Sequence, residues 1–421
     1  MHLEDLHQRT VCFVQHQTHN FKVMLVRRAL HEVAANLSAQ YNSIYATLLG
    51  ASPVQLGSLQ SAGNAIGALA ALPVGWSVDN YGIKKVFFLG TAILMVSGLL
   101  YFVAPHWAWL YAGIILFYLG TRITCTTCTV TCAAALPNRE RATGRGLCRT
   151  ISSSVGLVTP LLAAWLISRF GGITARSIRS LYMIQVIIFV GILVLLWTQL
   201  SGSKASGASS DGHHILSSFL PILKRGPDVI RLMLVIGLME LPWSLTQPFM
   251  PVYAHQIKGA NEFMLGGIAV AISIVPMLAS IPLGRLADKH GRKKLLFAIA
   301  PLAYVANLCL VFAPGSGTGR WVFLLLYGIL FGFNSVSMSV ASSMAAEIMP
   351  EELMGRWIGM ISLVRGLIAV PAPLIAGLVW EHIGPEYVFL GAIAIDVFLR
   401  LPLLASVRET LHLSLSEHSE R

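Results

Sequence analysis

Three carboxylates, Glu32, Glu240 and Asp396, lie inside long apolar runs of this 421-residue sequence, and the arginines Arg122, Arg365 and Arg400 share that setting. A charge at the centre of a membrane helix costs about 2.5–3.5 kcal/mol on insertion scales, so each of these groups calls for a partner or a purpose. A carboxyl there can take up and release a proton, and an arginine can hold an anionic solute group or neutralise a carboxylate. On the first apolar run Arg28, Glu32, Asn36, Gln40 and Ser43 follow at spacings of four, four, four and three, which puts them on one helical face. So polar a face does not meet lipid. We read it as lining a cavity, with a packed polar seam and an Arg28–Glu32 pair as the alternative.

Glu240 aligns, at an offset of 209 residues, with His31, the neighbour of Glu32. Each half of the chain thus brings a carboxylate to nearly the same depth, and Ser244 and Gln247 extend the polar face around Glu240. Either Glu32 or Glu240, or both, are candidate proton carriers, while His31 is read as a hydrogen-bonded neighbour. Arg122 falls about 15 residues from each end of its run, near the bilayer centre at 1.5 Å per residue, where it meets a substrate anion or Glu32. Arg365 is read as a substrate anchor or as the partner of Glu240. Asp396 and Arg400, four apart, are expected to pair with each other. Cys125, Cys128 and Cys132 share a helical face among threonines, where small polar residues favour close helix packing. No further ligand is spaced to complete a metal site, and no metal or cofactor is expected.

These groups need an apolar frame, and the composition supplies one. Hydrophobic residues make up 55% of the chain and charged residues 12%, against roughly 25% charged in an ordinary soluble domain. Apolar runs of helical crossing length recur at 21–49, 55–77, 84–104, 107–136, 146–169 and 179–199, then at 229–256, 262–284, 293–313, 320–348, 356–380 and 386–406. The fold class is therefore all-α, a polytopic membrane protein of twelve transmembrane helices in two six-helix bundles, 21–199 and 229–406. Segments 1–20 and 407–421 are tails. The polar stretch 200–228 joins the bundles as a flexible loop.

With both termini placed in the cytoplasm, only Arg169, Arg176, Arg179, Lys258 and Arg320 of the 30 basic residues face the other side. The positive-inside rule selects that orientation, and the plasma (inner) membrane is the expected location. The net charge of +11 is accordingly a topology signal and implies no nucleic-acid partner. No cleavable signal sequence is evident in the first 20 residues. The six cysteines are not expected to form disulfides.

Between the second and third runs stand Gly75, Asp79, Gly82, Lys84 and Lys85, and between the eighth and ninth stand Gly284, Asp288, Gly291, Arg292 and Lys293. Each set is read as a short polar elbow in which glycine permits a tight turn and Asp caps a helix. The second elbow resembles the cytoplasmic signature of the major facilitator superfamily, and the first is a degraded copy with Ser77, Asn80 and Ile83 at divergent positions. A second repeated element, from Pro137 to Arg145 and from Pro350 to Arg356, resembles that family's linkers to helices five and eleven. The resemblance implies two pseudo-symmetric bundles that rock about a central site lined by helices one, four, seven and ten. It also implies that Asp79 and Asp288 sit against the amino termini of helices eleven and five as a gate.

The expected function is secondary transport of a small organic solute by a monomer in the lipid bilayer, first as proton-coupled export. The alternative is proton-coupled uptake or facilitated diffusion of an anionic metabolite. The cavity or its supporting network would comprise Glu32, Asn36, Gln40, Arg122, Glu240, Gln247 and Arg365. A non-transporting receptor or scaffold is the rival of another class. No nucleotide-binding glycine loop and no nucleophile–base set in a loop points to an enzyme.

Overall fold

The computed structural model describes residues 18–70, 73–74, 77, 80–135, 141–200, 226–349, 351–407 and 409. Six helical segments precede the linker: α1 (His19–Ala39, continued by Asn42–Leu48), α2 (Pro53–Leu69), α3 (Ile83–Val103), α4 (Trp109–Ala135), α5 (Arg141–Arg169) and α6 (Ala175–Gln199). Six follow it: α7 (Pro227–Thr246, with a π-helical turn at Tyr253–Ile257), α8 (Glu262–His290), α9 (Arg292–Val311), α10 (Thr318–Ile348), α11 (Glu351–Ala369 and Ala372–His382) and α12 (Glu386–Ile395, a π-helical turn at Asp396–Arg400, and Leu401–Ser406). Among the described residues there is no β-strand. Among the described residues nine of these segments are long and apolar enough to cross a membrane by length and composition. The α2 helix has 17 residues, and α1 carries the charged stripe.

Side chains at the helix starts fix where the segments begin. Ser52 and Gln55 form a reciprocal capping box on α2, Thr174 caps α6 and Asn261 caps α8, each satisfying backbone N–H groups that a helix start leaves unpaired. The elbows turn on Gly82 and Gly291, at φ 82° and 102°, a region that disfavours any residue with a Cβ. The second elbow is shorter than the sequence suggests, because α8 stays helical to His290 and Gly291 makes the turn unaided. Its polar residues tolerate helix, and that helix end carries Arg285 and Lys289 out of the apolar layer.

Helices before the linker pack mainly on one another, α3 on α4 and α6, and α1 on α5 and α6; after it, α8 and α9 pack on α10, and α7 on α11. The two sets meet through α2 against α11 and α5 against α8. At the end away from the elbows one apolar cluster runs through both sets, from Tyr41, Tyr45 and Leu110 to Phe249, Tyr327 and Phe389. At the elbow end the apolar cores are separate, one around Phe87 and Phe189 and another around Trp357 and Met344. The far end is sealed by close backbone approach: a Cβ on Gly57 would collide with the Pro373 carbonyl, and one on Gly377 with that of Pro53. The molecule is thus closed at its far end, with a chamber between the sets on the elbow side of that seal.

Candidate functional site

The chamber is built from three cavities, and Glu240 lines all of them. The first, about 560 Å³, also holds Trp243, Asn334, Ser339, Ser343 and Arg365. The second, about 390 Å³, holds Asn42, Gln60, Tyr118, Trp243 and Gln247. The third, about 260 Å³, brings Arg122 together with Glu240, Arg365 and Asn64. Four of the seven residues expected to form the cavity network, Arg122, Glu240, Gln247 and Arg365, therefore converge on one chamber.

Arg365 of α11 reaches across to α7 and donates from Nε and Nη2 to Glu240 Oε2, at 2.9 and 2.5 Å. The two side chains are 37% and 20% exposed, open enough to exchange protons or partners with whatever fills the chamber. Arg122 is exposed and donates from Nε to the Gly67 carbonyl at 2.9 Å. Among the described residues it has no carboxylate partner. Among the described residues, Arg122 and Arg365 against Glu240 leave the lining of these cavities with one uncompensated positive charge.

Asn64 of α2 and Ser244 of α7 were not foreseen as a junction, although a backbone rule points to them. Pro373 has no N–H, so the Ala369 carbonyl four residues earlier lacks its helical donor. Asn64 Nδ2 and Ser244 Oγ supply it, at 2.9 and 3.0 Å. Three helices from both sets are thereby tied at the chamber wall, where α11 breaks.

Glu32, Asn36 and Gln40 are placed differently from the cavity expectation. Glu32 pairs with Arg28 of its own helix at 2.5 Å and accepts from Asn36 Nδ2 at 3.2 Å, while Arg28 Nε donates to Ser152 of α5 at 2.7 Å. Gln40 is buried and donates to the Pro160 carbonyl at 3.1 Å. From Arg28 to Gln40 the stripe is a polar seam between α1 and α5, because an i,i+4 partner and a facing hydroxyl satisfy its charges locally, while Ser43 at its end lines the second cavity. His31 is buried against Phe189, with ring centroids 6.1 Å apart.

The pair Asp396–Arg400 forms as expected, with Arg400 Nη2 donating to Asp396 Oδ2 at 2.6 Å and Tyr304 donating to the same oxygen. On α4, Thr124 and Thr127 donate back to the carbonyls of Gly120 and Ile123, the self-satisfying arrangement that lets helices pack closely.

At the elbows, Gly75 and Asp79 lie outside the described residues. Asp288 is 66% exposed, and its partner among the described residues is Arg292, 3.5 Å away. Among the described residues it makes no contact with the start of α5. Arg292 instead pairs with Glu347 at the end of α10 at 2.6 Å. Lys293 Nζ donates to the Ala405 and Val407 carbonyls at 2.6 and 2.7 Å, and Lys84 Nζ correspondingly to the Trp197 carbonyl at 2.9 Å. Each lysine ties its elbow to the end of the last helix of its own set.

The sequence matches the model of the Major Facilitator Superfamily over residues 33–277 and 232–410. Among curated proteins it is 30% identical over 154 residues to the "Multi-drug resistance efflux pump PmrA homolog" of Lactococcus lactis, a match spanning 35% of this chain and 36% of that protein. It is 25% identical over 373 residues to the "Cis,cis-muconate transport protein" of Acinetobacter baylyi, spanning 85% of this chain and 86% of that one. Among solved structures, the nucleoside transporter NupG superposes with a TM-score of 0.76 at 13% identity, over 92% of this chain and 99% of that one.

Proposed function

The chain belongs to the Major Facilitator Superfamily, and on that premise we propose that it moves a small organic anion together with a proton by alternating access. The observation that carries this reading is Arg122, a mid-membrane guanidinium that faces the Glu240–Arg365 cavity with no carboxylate paired to it among the described residues. A guanidinium at membrane depth calls for a partner, and a solute anion can supply one. A proton on Glu240 removes the charge that holds Arg365, and Arg365 then turns to the chamber beside Arg122. Two guanidinium groups suit a solute with two carboxylates, and muconate, the solute in the name of the Acinetobacter relative, has two. In this scheme both termini are cytoplasmic, the membrane is the plasma (inner) membrane, and the far-end seal is the extracellular one.

The match to the efflux-pump homologue and the aromatic wall of Trp243 and Tyr118 favour a second reading, proton-coupled export of an amphipathic cation that replaces Arg365 at Glu240. Thermal-shift measurements separate the two. Under the first, linear dicarboxylates raise the unfolding temperature and Arg122→Ala removes the effect, a ligand at 100 times its Kd adding about 2.7 kcal/mol. Stabilisation by cationic amphiphiles, with none by dicarboxylates, would overturn the anion reading.

A further inference from the structure

Ser77 in the first elbow aligns with Leu286 in the second, and the transport chamber makes no use of the difference. Beside Ser77 lies a groove of about 410 Å³ whose walls are Val74, Val86, Leu89, Leu119 and Ile123, with Lys85 at its edge. Ser77 donates its hydroxyl to the Pro73 carbonyl at 2.7 Å, so it adds no polarity to the groove. It also lacks the branched carbons that leucine would place there. Leu89 in its wall is 56% exposed, an apolar surface that a bilayer would cover with lipid tails.

The rim has the opposite character. Lys84 is engaged by the Trp197 carbonyl, whereas Lys85 is exposed and has no hydrogen-bond or ion-pair partner among the described residues. An elbow between two membrane helices lies at headgroup level, where lysine meets anionic lipid. Leu89, one helical turn further along α3, is about 6 Å deeper at 1.5 Å per residue. Towards the interior α3 and α4 close together at Gly90 and Gly120, where a Cβ on Gly120 would lie 3.0 Å from the Gly90 carbonyl oxygen. The site therefore asks for a ligand with an anionic head and an apolar tail.

We propose that this groove holds one anionic phospholipid, its acyl chain against Val86, Leu89 and Ile123 and its phosphate at Lys85. Serine at position 77 makes the space for the chain. The inference is independent of what the chamber carries.

Native mass spectrometry of the purified full chain, offered equal phosphatidylglycerol and phosphatidylcholine with the same acyl chains, tests it. One phosphatidylglycerol should be retained about fivefold over phosphatidylcholine, the ratio expected from one lysine at an anionic surface. Ser77→Leu should displace that lipid, Lys85→Gln should abolish the preference while retaining a lipid, and Lys294→Gln in the second elbow should change neither. Equal retention of the two lipids by the native chain, or full retention of phosphatidylglycerol by a folded Ser77→Leu variant, would overturn the proposal. If Ser77→Leu does not fold, the Lys85→Gln arm decides alone: a preference that survives it refutes the site.

Discussion

Two arginine–glutamate pairs place their carboxylates at nearly matched positions in the two halves, and they differ in where the arginine comes from. Arg28 and Glu32 lie on one helix and close at 2.5 Å as an i,i+4 pair, supported by Asn36 and by Ser152 of α5. Arg365 and Glu240 close at the same distance across two helices, on the wall of the chamber. Protonating the first pair is felt within a seam that stays packed. In the proposed scheme, protonating the second frees a guanidinium and removes one tie between α7 and α11, while the Ser244–Ala369 hydrogen bond remains. On that reading, matched depth alone does not give a carboxylate its role; its partner must sit on an element that moves or binds.

That contrast predicts a graded series. Arg365→Gln strands Glu240 and removes a charge-assisted contact of about 1.5–3 kcal/mol, so transport of a stabilising dicarboxylate should fall roughly 10- to 100-fold. Arg28→Gln in the first half should cost less than about threefold in transport, since that part-buried pair lines none of the three cavities and Asn36 still donates to Glu32. Initial rates in proteoliposomes measure both, and equal losses would erase the distinction. Arg122→Ala should weaken dicarboxylate binding about tenfold in calorimetry while leaving the unfolding temperature of the ligand-free protein unchanged.

The elbows carry the same comparison to smaller effects. Arg292 is anchored by Glu347, while the first elbow has buried Ile83 at the aligned position and Asn138 where Glu347 would align. Glu347→Gln should cost about 1 kcal/mol, visible as a small fall in unfolding temperature. Ile83→Arg should not stabilise the first elbow in return, because no acid aligns to receive it. Smallest of all, Glu32→Gln should lower stability by about 0.5 kcal/mol and leave proton-driven flux intact. A loss of proton coupling in Glu32→Gln would place the carrier in the wrong half.

The twelve segments were legible in the sequence, because apolar run length is a local fact; the cost of a lone membrane charge left Arg365 between two readings, a substrate anchor and a partner of Glu240. The fate of the α1 stripe was not. Four-residue spacing says that Glu32, Asn36 and Gln40 share a face, but whether that face meets a cavity or α5 depends on Ser152 and Pro160, more than a hundred residues away. The Asn64–Ser244 junction was legible in principle from Pro373, whose missing N–H leaves Ala369 in need of donors. Which side chains would answer required the fold. Asp288, expected against the start of α5, pairs among the described residues with Arg292 of its own elbow, and its four-residue spacing makes that partner local.

The central claim is that Glu240 carries the proton that releases Arg365 to the solute. It is tested most directly by Glu240→Gln in proteoliposomes, comparing solute accumulation driven by an imposed pH gradient with exchange of labelled for unlabelled solute at uniform pH. Loss of gradient-driven accumulation with exchange retained is the predicted result. Accumulation that still follows the pH gradient in Glu240→Gln would contradict it.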